Sequence, residues 1–253
     1  QIEFDEALQQ ASATSSKTSE NPATIEEVLG LSQAIYDTKN ALNGEQRLAT
    51  EKSKDLKLIK GLKDLNKAQL EDVTNKVNAA NTLTELSQLT QSTLELNDKM
   101  KLLRDQLKTL VNPVKASLNY RNADYNLKRQ FNKALKEAKG ILNKNSGPNV
   151  NINDIQHLLT QIDNAKDQLN GERRLKEHQQ KSEVFIIKEL DILNNAQKAA
   201  IINQIRASKD IKIINQIVDN AIELNDAMQG LKEHVAQLTA TTKDNIEYLN
   251  ADE

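Results

Sequence analysis

Ala41-Leu42-Asn43-Gly44-Glu45-Gln46-Arg47-Leu48 returns downstream as Gln168-Leu169-Asn170-Gly171-Glu172-Arg173-Arg174-Leu175, identical at six of eight positions and displaced by 168 − 41 = 127 residues. The echo continues outward. Leu65-Asn66-Lys67-Ala68-Gln69 is matched by Leu193-Asn194-Asn195-Ala196-Gln197, and Leu94-Glu95-Leu96-Asn97-Asp98-Lys99-Met100 by Ile222-Glu223-Leu224-Asn225-Asp226-Ala227-Met228, both displaced by 128. One residue is therefore inserted between Leu175 and Leu193. Tyr120, Asn122, Ala123 and Asp124 are matched by Tyr248, Asn250, Ala251 and Asp252, where a third copy starts. Repetition at so long a period indicates a string of similar units instead of one globular enzyme. The chain of 253 residues holds almost two periods, lacks an initiator Met and by alignment is cut inside a helix, so it reads as a piece excised from a longer protein.

Composition sets the class of structure. Apolar residues make up 38%, charged residues 28% and aromatics only 3%, a mixture dominated by Leu, Ile, Ala, Lys, Glu, Gln and Asn that suits long amphipathic helices. Basic and acidic residues number 34 and 36 and are interspersed, leaving a net charge of −2. A nucleic-acid interface needs a basic face with stacking aromatics, and a polybasic membrane module needs clustered Lys and Arg; the chain has neither. With no Cys, disulfides, thiol catalysis and thiolate metal ligation are excluded.

The periodicity is helical throughout. From Thr24 to Leu62, apolar residues at Val28, Leu31, Ile35, Leu42, Leu48 with Ala49, Leu56, Ile59 and Leu62 fall at spacings of three, four and seven, and Thr24 with Glu27 forms a capping box at the start. The pattern predicts one long helix there, and a second from Asn153 to Leu190, each with an Asn-Gly pair (Gly44, Gly171) where glycine costs about 1 kcal/mol relative to Ala; a bend is the expected reading and a full break the competing one, and the sequence does not decide between them. Asn66 with Gln69, and Asn194 with Gln197, start short helices that end before Asn81 and Lys209. Thr82 with Glu85, and Asp210, cap two further long helices. Pro113 marks a break or a new first turn, and Leu118 to Leu142 is helical up to the turn Asn143-Lys144-Asn145-Ser146-Gly147-Pro148-Asn149. Each period thus has four helices, one long, one short, one long and one medium. Three-helix packing is satisfied most economically if long helices serve two bundles each. The expected fold is all-α: an elongated rod of alternating three-helix bundles joined by shared long helices.

Particular residues then bear a family resemblance. Tyr120-Arg121-Asn122-Ala123-Asp124, Leu127-Lys128, Phe131, Ala134-Leu135, Ala138, Ile141-Leu142, Gly147-Pro148-Asn149, Ala165-Lys166 and Leu169-Asn170-Gly171 resemble the FIVAR module. Leu193 to Gln197 with Ile222 to Met228 resembles the GA-type three-helix module, and the alternation of the two is similar to that of giant staphylococcal cell-wall-associated adhesins. The first FIVAR-like copy departs from the pattern: its Tyr-x-Asn-Ala-Asp start is missing and its loop reads Ser16-Lys17-Thr18-Ser19-Glu20-Asn21-Pro22. The resemblance implies a FIVAR-like module over residues 1–44, a GA-like module over 45–111, a second pair over 112–171 and 172–238, and the start of a further repeat over 239–253. It also implies a surface-displayed, cell-wall-associated protein that takes fibronectin or other host matrix and serum proteins as partners, with cell-wall components and serum albumin as alternative ligands or a purely structural role in the envelope. No nucleic acid, no membrane contact by this segment, no cofactor and a monomeric state are expected.

No chemistry competes with that reading. His157, His178 and His234 have no second His at i+4 and fit solvated helix faces better than a metal site. The seven Gly are scattered, so no phosphate-cradling loop is present, and Ser and Thr gather in caps and in the stretch from Ser12 to Ser19. No catalytic, cofactor-binding or metal-binding residue is assigned, and the ligand-binding residues are unknown. The equivalent Phe4 and Phe131, and Tyr120 and Tyr248, are read as core aromatics. Asn122-Ala123-Asp124 is read as a cap or a hydrogen-bonded junction between bundles.

Overall fold

The computed structural model describes residues 1–17 and 21–251. Thr18, Ser19 and Glu20 of the first loop, and Asp252 and Glu253 of the third copy, lie outside the described residues. Every regular element among the described residues is a helix. In chain order these are α1 (Ile2–Ser15), α2 (Ile25–Asn40), α3 (Gly44–Lys60), α4 (Lys67–Ala79), α5 (Leu83–Ala116) and α6 (Leu118–Arg121). They are followed by α7 (Tyr125–Ile141), α8 (Ile152–Asp167), α9 (Gly171–Glu189), α10 (Asn195–Ala207), α11 (Ile211–Thr242) and α12 (Ile246–Leu249).

The starts are where the caps place them. Thr24 and Glu27 exchange both bonds of a capping box at the head of α2, and Asn194 and Gln197 do the same for α10. Thr82 Oγ1 accepts from the Glu85 amide at 3.1 Å at the head of α5, and Asp210 accepts from the Lys212 amide at 2.8 Å at the head of α11. The net insertion of one residue lies around the end of the second copy's α9, which has 19 residues against 17 in α3 while the loop after it is one residue shorter, so α10 follows α4 at an offset of 128.

Three expectations are corrected. The long helices expected from Thr24 to Leu62 and from Asn153 to Leu190 are each broken in two, at Ala41–Asn43 and at Gln168–Asn170. Asn43 (φ −114°, ψ 18°) and Asn170 (φ −122°, ψ 16°) leave the helical region, and Asn-Gly is a full break instead of a bend. Pro113 neither breaks nor starts a helix. It lies in the last turn of α5, where it removes a single backbone bond three residues before the helix ends, so the cost stays local. The stretch from Leu118 to Leu142 is two helices, α6 and α7, separated by Asn122–Asp124. Of the long helices expected to be shared between bundles, α5 and α11 are continuous, with 34 and 32 residues.

The chain forms two compact units, Gln1–Lys63 with Gln69–Glu95, and Asp64–Ala68 with Leu96–Glu253. In the first, Ile59 of α3, Val73 and Val77 of α4, Ala80, and Leu86 of α5 form one small core, a three-helix bundle. The α1 and α2 helices pair in the same unit, but the pair is shallow: Ala7 is its one buried apolar residue, while Leu8, Val28 and Leu29 are exposed. In the second unit, α7 packs on α8 and contributes Phe131, Leu135 and Ala138 to a core shared with Ile155, Leu158 and Ile162. The C-terminal half of α5 is fixed along α8 by Lys99 Nζ donating to Gln156 Oε1 and Gln106 Nε2 donating to Asp163 Oδ1, both at 2.9 Å. Met100 and Leu103 are fully buried there. Complete burial of each such side chain contributes about 1.5–3 kcal/mol. A further bundle of α9, α10 and α11 surrounds Leu175, Ile186, Ile205 and Ile214.

Candidate functional site: the module junctions

Two of the buried polar side chains among the described residues, Asn66 and Asn122, bond to backbone far along the chain, whereas Thr93 bonds within its own helix. A buried amide is costly unless its bonds are made.

Asn122, 4% exposed, sits between α6 and α7. Its Nδ2 donates to Lys209 O at 3.1 Å and to Leu118 O at 3.3 Å, and its Oδ1 accepts from the Ile211 amide at 3.0 Å. One side chain therefore spans from the α6–α7 corner to the head of α11, taking up an amide of the helix's first turn. Two residues on, the Asp124 amide donates to Asn170 Oδ1 at 3.1 Å and Asp124 Oδ2 accepts from Asn170 Nδ2 at 2.6 Å. Arg174 completes the knot, with Nε 3.0 Å from Asp124 Oδ1 and Nη1 donating to Asn122 O at 2.7 Å.

Gly171 shows how tight this joint is. A Cβ there would lie 2.6 Å from Leu118 O and 2.7 Å from Ala123 N, and closer still to Asn119 O, all backbone atoms that cannot rotate aside. The Asn119 side chain accepts from the Glu172 amide at 3.2 Å. The helix breaks before Gly171 as it does before Gly44, but here α6 packs against the opened backbone and the Asn170 side chain holds Asp124. Gly44, the equivalent residue, has nothing within 4 Å of a built Cβ. The counterpart of Leu118 would fall at 118 − 127 = −9, before Gln1.

The second joint connects the loop before α4 to the α7–α8 turn. Asn66, fully buried, donates from Nδ2 to Ile141 O at 3.1 Å and to Pro148 O at 2.9 Å. Lys67 N donates to Lys144 O at 2.8 Å, and Lys144 Nζ returns a bond to Leu65 O at 3.0 Å. Burial, and the Arg104 guanidinium nearby, push the Lys144 ammonium pKa down. Arg104 itself is ion-paired with Asp64. Gly147 is required here too, since a Cβ would lie 2.5 Å from Ile141 O and 2.6 Å from Asn143 O.

Asn97 and Asn225 explain the repeated Leu-Asn-Asp triplet. Asn97 Oδ1 accepts from the Asp64 amide at 3.0 Å and Asn225 Oδ1 from the Ile192 amide at 3.2 Å, so each fixes the loop that precedes a short helix.

The residues singled out from sequence divide accordingly. Phe131 is fully buried and meets the Tyr120 ring edge-on at 6.0 Å, so this aromatic pair is core. Tyr248 is 54% exposed and Phe4 is half-buried, which separates them from their equivalents. His157 and His234 are exposed, and His178 is hydrogen-bonded to Asn215 Oδ1 at 2.6 Å. Asn122 and Asp124 are junction residues, as their position between helices predicts. Sequence reasoning did not single out Arg174 and Lys144. Arg174 was findable: Arg47 and Arg174 recur inside the repeated octapeptide, a degree of repetition that a solvated Arg does not require. Lys144 has no such signal, because its function depends on the loop's fold.

Comparison with known proteins agrees with this architecture. The FIVAR domain matches residues 1–43 and 100–170, and the GA module matches residues 45–99 and 172–227. The extracellular matrix-binding protein ebh of Staphylococcus aureus strain MRSA252 is 34% identical over 249 residues, 98% of this chain but 2% of that protein. The extracellular matrix-binding protein EbhA of strain Newman is 34% identical over 218 residues, 86% of this chain and 6% of its own length. The chain therefore spans a few per cent of the length of the relatives it matches. A crystal structure of an EbhA domain from Staphylococcus aureus has the same fold, with a TM-score of 0.76 at 24% identity, covering 87% of this chain and 88% of that one. With FIVAR and GA modules alternating over nearly the whole sequence and this likeness along its full length, the chain belongs to the Ebh family of repeat proteins.

Proposed function

We propose that these repeats act as a semi-rigid helical spacer displayed at a bacterial cell surface, and as an array that binds host matrix proteins of the fibronectin type. The observation that carries this reading is the joint at Asn122, Asp124, Asn170 and Arg174, which spends buried polar residues and a close-packed glycine on fixing one module to the next. A chain of independently tumbling binding domains has no need of such a joint. Membership of a family named for matrix binding supports the adhesive part, and the repetition of modules lets weak contacts add through multivalency. No helix among the described residues is long and apolar enough to cross a membrane. Cell-wall anchoring belongs to the same proposal.

Two measurements test the two parts. Small-angle scattering on the chain should give a radius of gyration well above the roughly 18 Å of a compact protein of this length; a value near 18 Å refutes the spacer. Titration with fibronectin should saturate, and its failure at tens of micromolar refutes the matrix ligand. The GA match favours serum albumin as a second reading, with α10 and α11 as the helices to examine. Saturable binding of albumin but not fibronectin would select it.

A further inference from the structure

The even balance of charge over the whole chain hides a local exception, and the expectation that Lys and Arg nowhere cluster is corrected by α7. That helix carries five basic residues, Lys128, Arg129, Lys133, Lys136 and Lys139, against one acidic residue, Glu137. Arg129, Lys133 and Lys136 fall within an arc of about 60° on the side opposite the buried Phe131, Ala134, Leu135 and Ala138. The five span 139 − 128 = 11 residues, about 16 Å of helix. All are exposed except the half-buried Lys128, and among the described residues none of them forms an ion pair. The face is open with α5 before it and the α9–α11 bundle after it both in place, so its exposure owes nothing to where the chain begins or ends.

The packing of the module does not call for these charges. At an offset of 127 their equivalents on α1 are Gln1, Ile2, Glu6, Gln9 and Ser12, and α1 has three acidic residues and no basic one. Like charges crowded on one helix face repel, so the stripe costs stability unless an anion lies along it. Beside it, between α7 and α8, is a groove of about 490 Å³ with Lys133 at its edge. Its walls present the carboxamides of Gln130, Gln161, Asn164 and Gln168, all exposed and none hydrogen-bonded through its side chain among the described residues. Glu137 is its one acid, and no aromatic side chain lines it. Nucleic acid binds such grooves through stacking aromatics, which are missing here. Carboxamides donate to and accept from hydroxyl groups, and a carboxylate accepts from them, which suits a sugar ring.

We propose that this face of α7, with the groove beside it, binds a sulfated polysaccharide of the extracellular matrix. Sulfates lie along Arg129, Lys133 and Lys136, and ring hydroxyls reach the carboxamides of the groove. The site belongs to the second FIVAR module alone, because the first has the acidic α1 in the same place. It adds a carbohydrate ligand to the protein ligands proposed above and does not depend on them.

Titration of the whole chain with heparin tests it. Binding should saturate at about 0.1 M salt and be lost at about 1 M, where the screening length falls from about 10 Å to about 3 Å. Arg129→Gln, Lys133→Gln and Lys136→Gln combined should weaken it at least about tenfold, with helix content unchanged by circular dichroism because all three side chains are exposed. Lys57→Gln, Lys60→Gln and Lys212→Gln combined remove the same charge from exposed positions on α3 and α11 and should leave binding unchanged. Desulfated heparin should bind at least about tenfold more weakly than heparin. The proposal is overturned by a wild-type chain that shows no saturation up to about 1 mM heparin, by equal weakening in the two triple variants, or by a DNA oligonucleotide or poly(glycerol phosphate) that binds as tightly as heparin. No matrix protein is present in these titrations, so their failure leaves the fibronectin reading standing.

Discussion

Replacing Gly171 with alanine, beside the same change at Gly44, isolates the packing of a module joint from the intrinsic cost of glycine. Both residues open a helix after Asn, and neither has a positive φ, so the backbone conformation tolerates alanine at both. At Gly44 the added methyl meets nothing within 4 Å. Gly44→Ala should therefore be neutral or stabilising by up to about 1 kcal/mol. At Gly171 the methyl overlaps three backbone atoms of α6 and its exit, lying 2.6 and 2.7 Å from Leu118 O and Ala123 N and closer still to Asn119 O. Overpacking costs about 1–3 kcal/mol where side chains can adjust. Here the backbone must move, and its movement stretches the Asn122 and Asp124 hydrogen bonds, each contributing about 1 kcal/mol. A loss of about 3–4 kcal/mol is expected, or about 2 M in urea midpoint for a module with a slope near 1.5–2 kcal/mol/M. Urea unfolding followed by circular dichroism, with amide exchange read at Glu172 and Ile211, measures it. Equal stabilities for Gly171→Ala and Gly44→Ala would refute the close-packed joint.

Asn122→Ala leaves the Ile211 amide and the Lys209 carbonyl without their side-chain partner; it should cost about 2–3 kcal/mol and speed exchange at Ile211, as read by hydrogen exchange. Gly147→Ala should weaken the joint between the α4 approach and the α7–α8 turn, seen as lowered protection of Lys67, whose amide donates to Lys144 O, while Gly140→Ala, with open space around it, leaves it unchanged. Glu183 gives a pH signature. Its carboxylate accepts two bonds from Arg206, at 3.0 and 2.7 Å, and that pairing holds its pKa below the usual value of 4.5 despite some opposing desolvation. A depressed carboxylate pKa contributes stability that is present above pH 4.5 and lost as pH falls through the folded-state value, so acid unfolding of the α9–α11 bundle should flatten below pH 4.5 in Arg206→Gln.

Helix content, helix starts and the short helices were legible because they depend on local chemistry: Thr24 with Glu27, Asn194 with Gln197, and apolar spacing of three and four. The Asn-Gly breaks were only half legible. A glycine near the middle of a helical pattern signals either a bend or a break; the chain breaks at both Gly44 and Gly171, although only Gly171 is packed against α6, a contact that no periodicity around Gly171 records. Pro113 misled for the opposite reason. A proline is a strong punctuation mark, yet in the last turn of α5 it removes one bond from a helix anchored by buried Met100, Leu103 and Leu107. The junction itself was visible as Asn122-Ala123-Asp124, since short polar residues between helices seek backbone partners. Its far side, Arg174 and the Lys209–Ile211 segment, depends on how the bundles stack, and only the recurrence of Arg47 and Arg174 hinted at it.

The proposed spacer requires the Asn122–Asp124 joint to hold the α7–α8 and α9–α11 bundles in one fixed orientation, which residual dipolar couplings read. Amides of both bundles, measured on the whole chain in one alignment medium, should fit a single alignment tensor, and Asn122→Ala combined with Asp124→Ala should split it into two of different magnitude. Two distinct tensors in the wild-type protein would contradict the account.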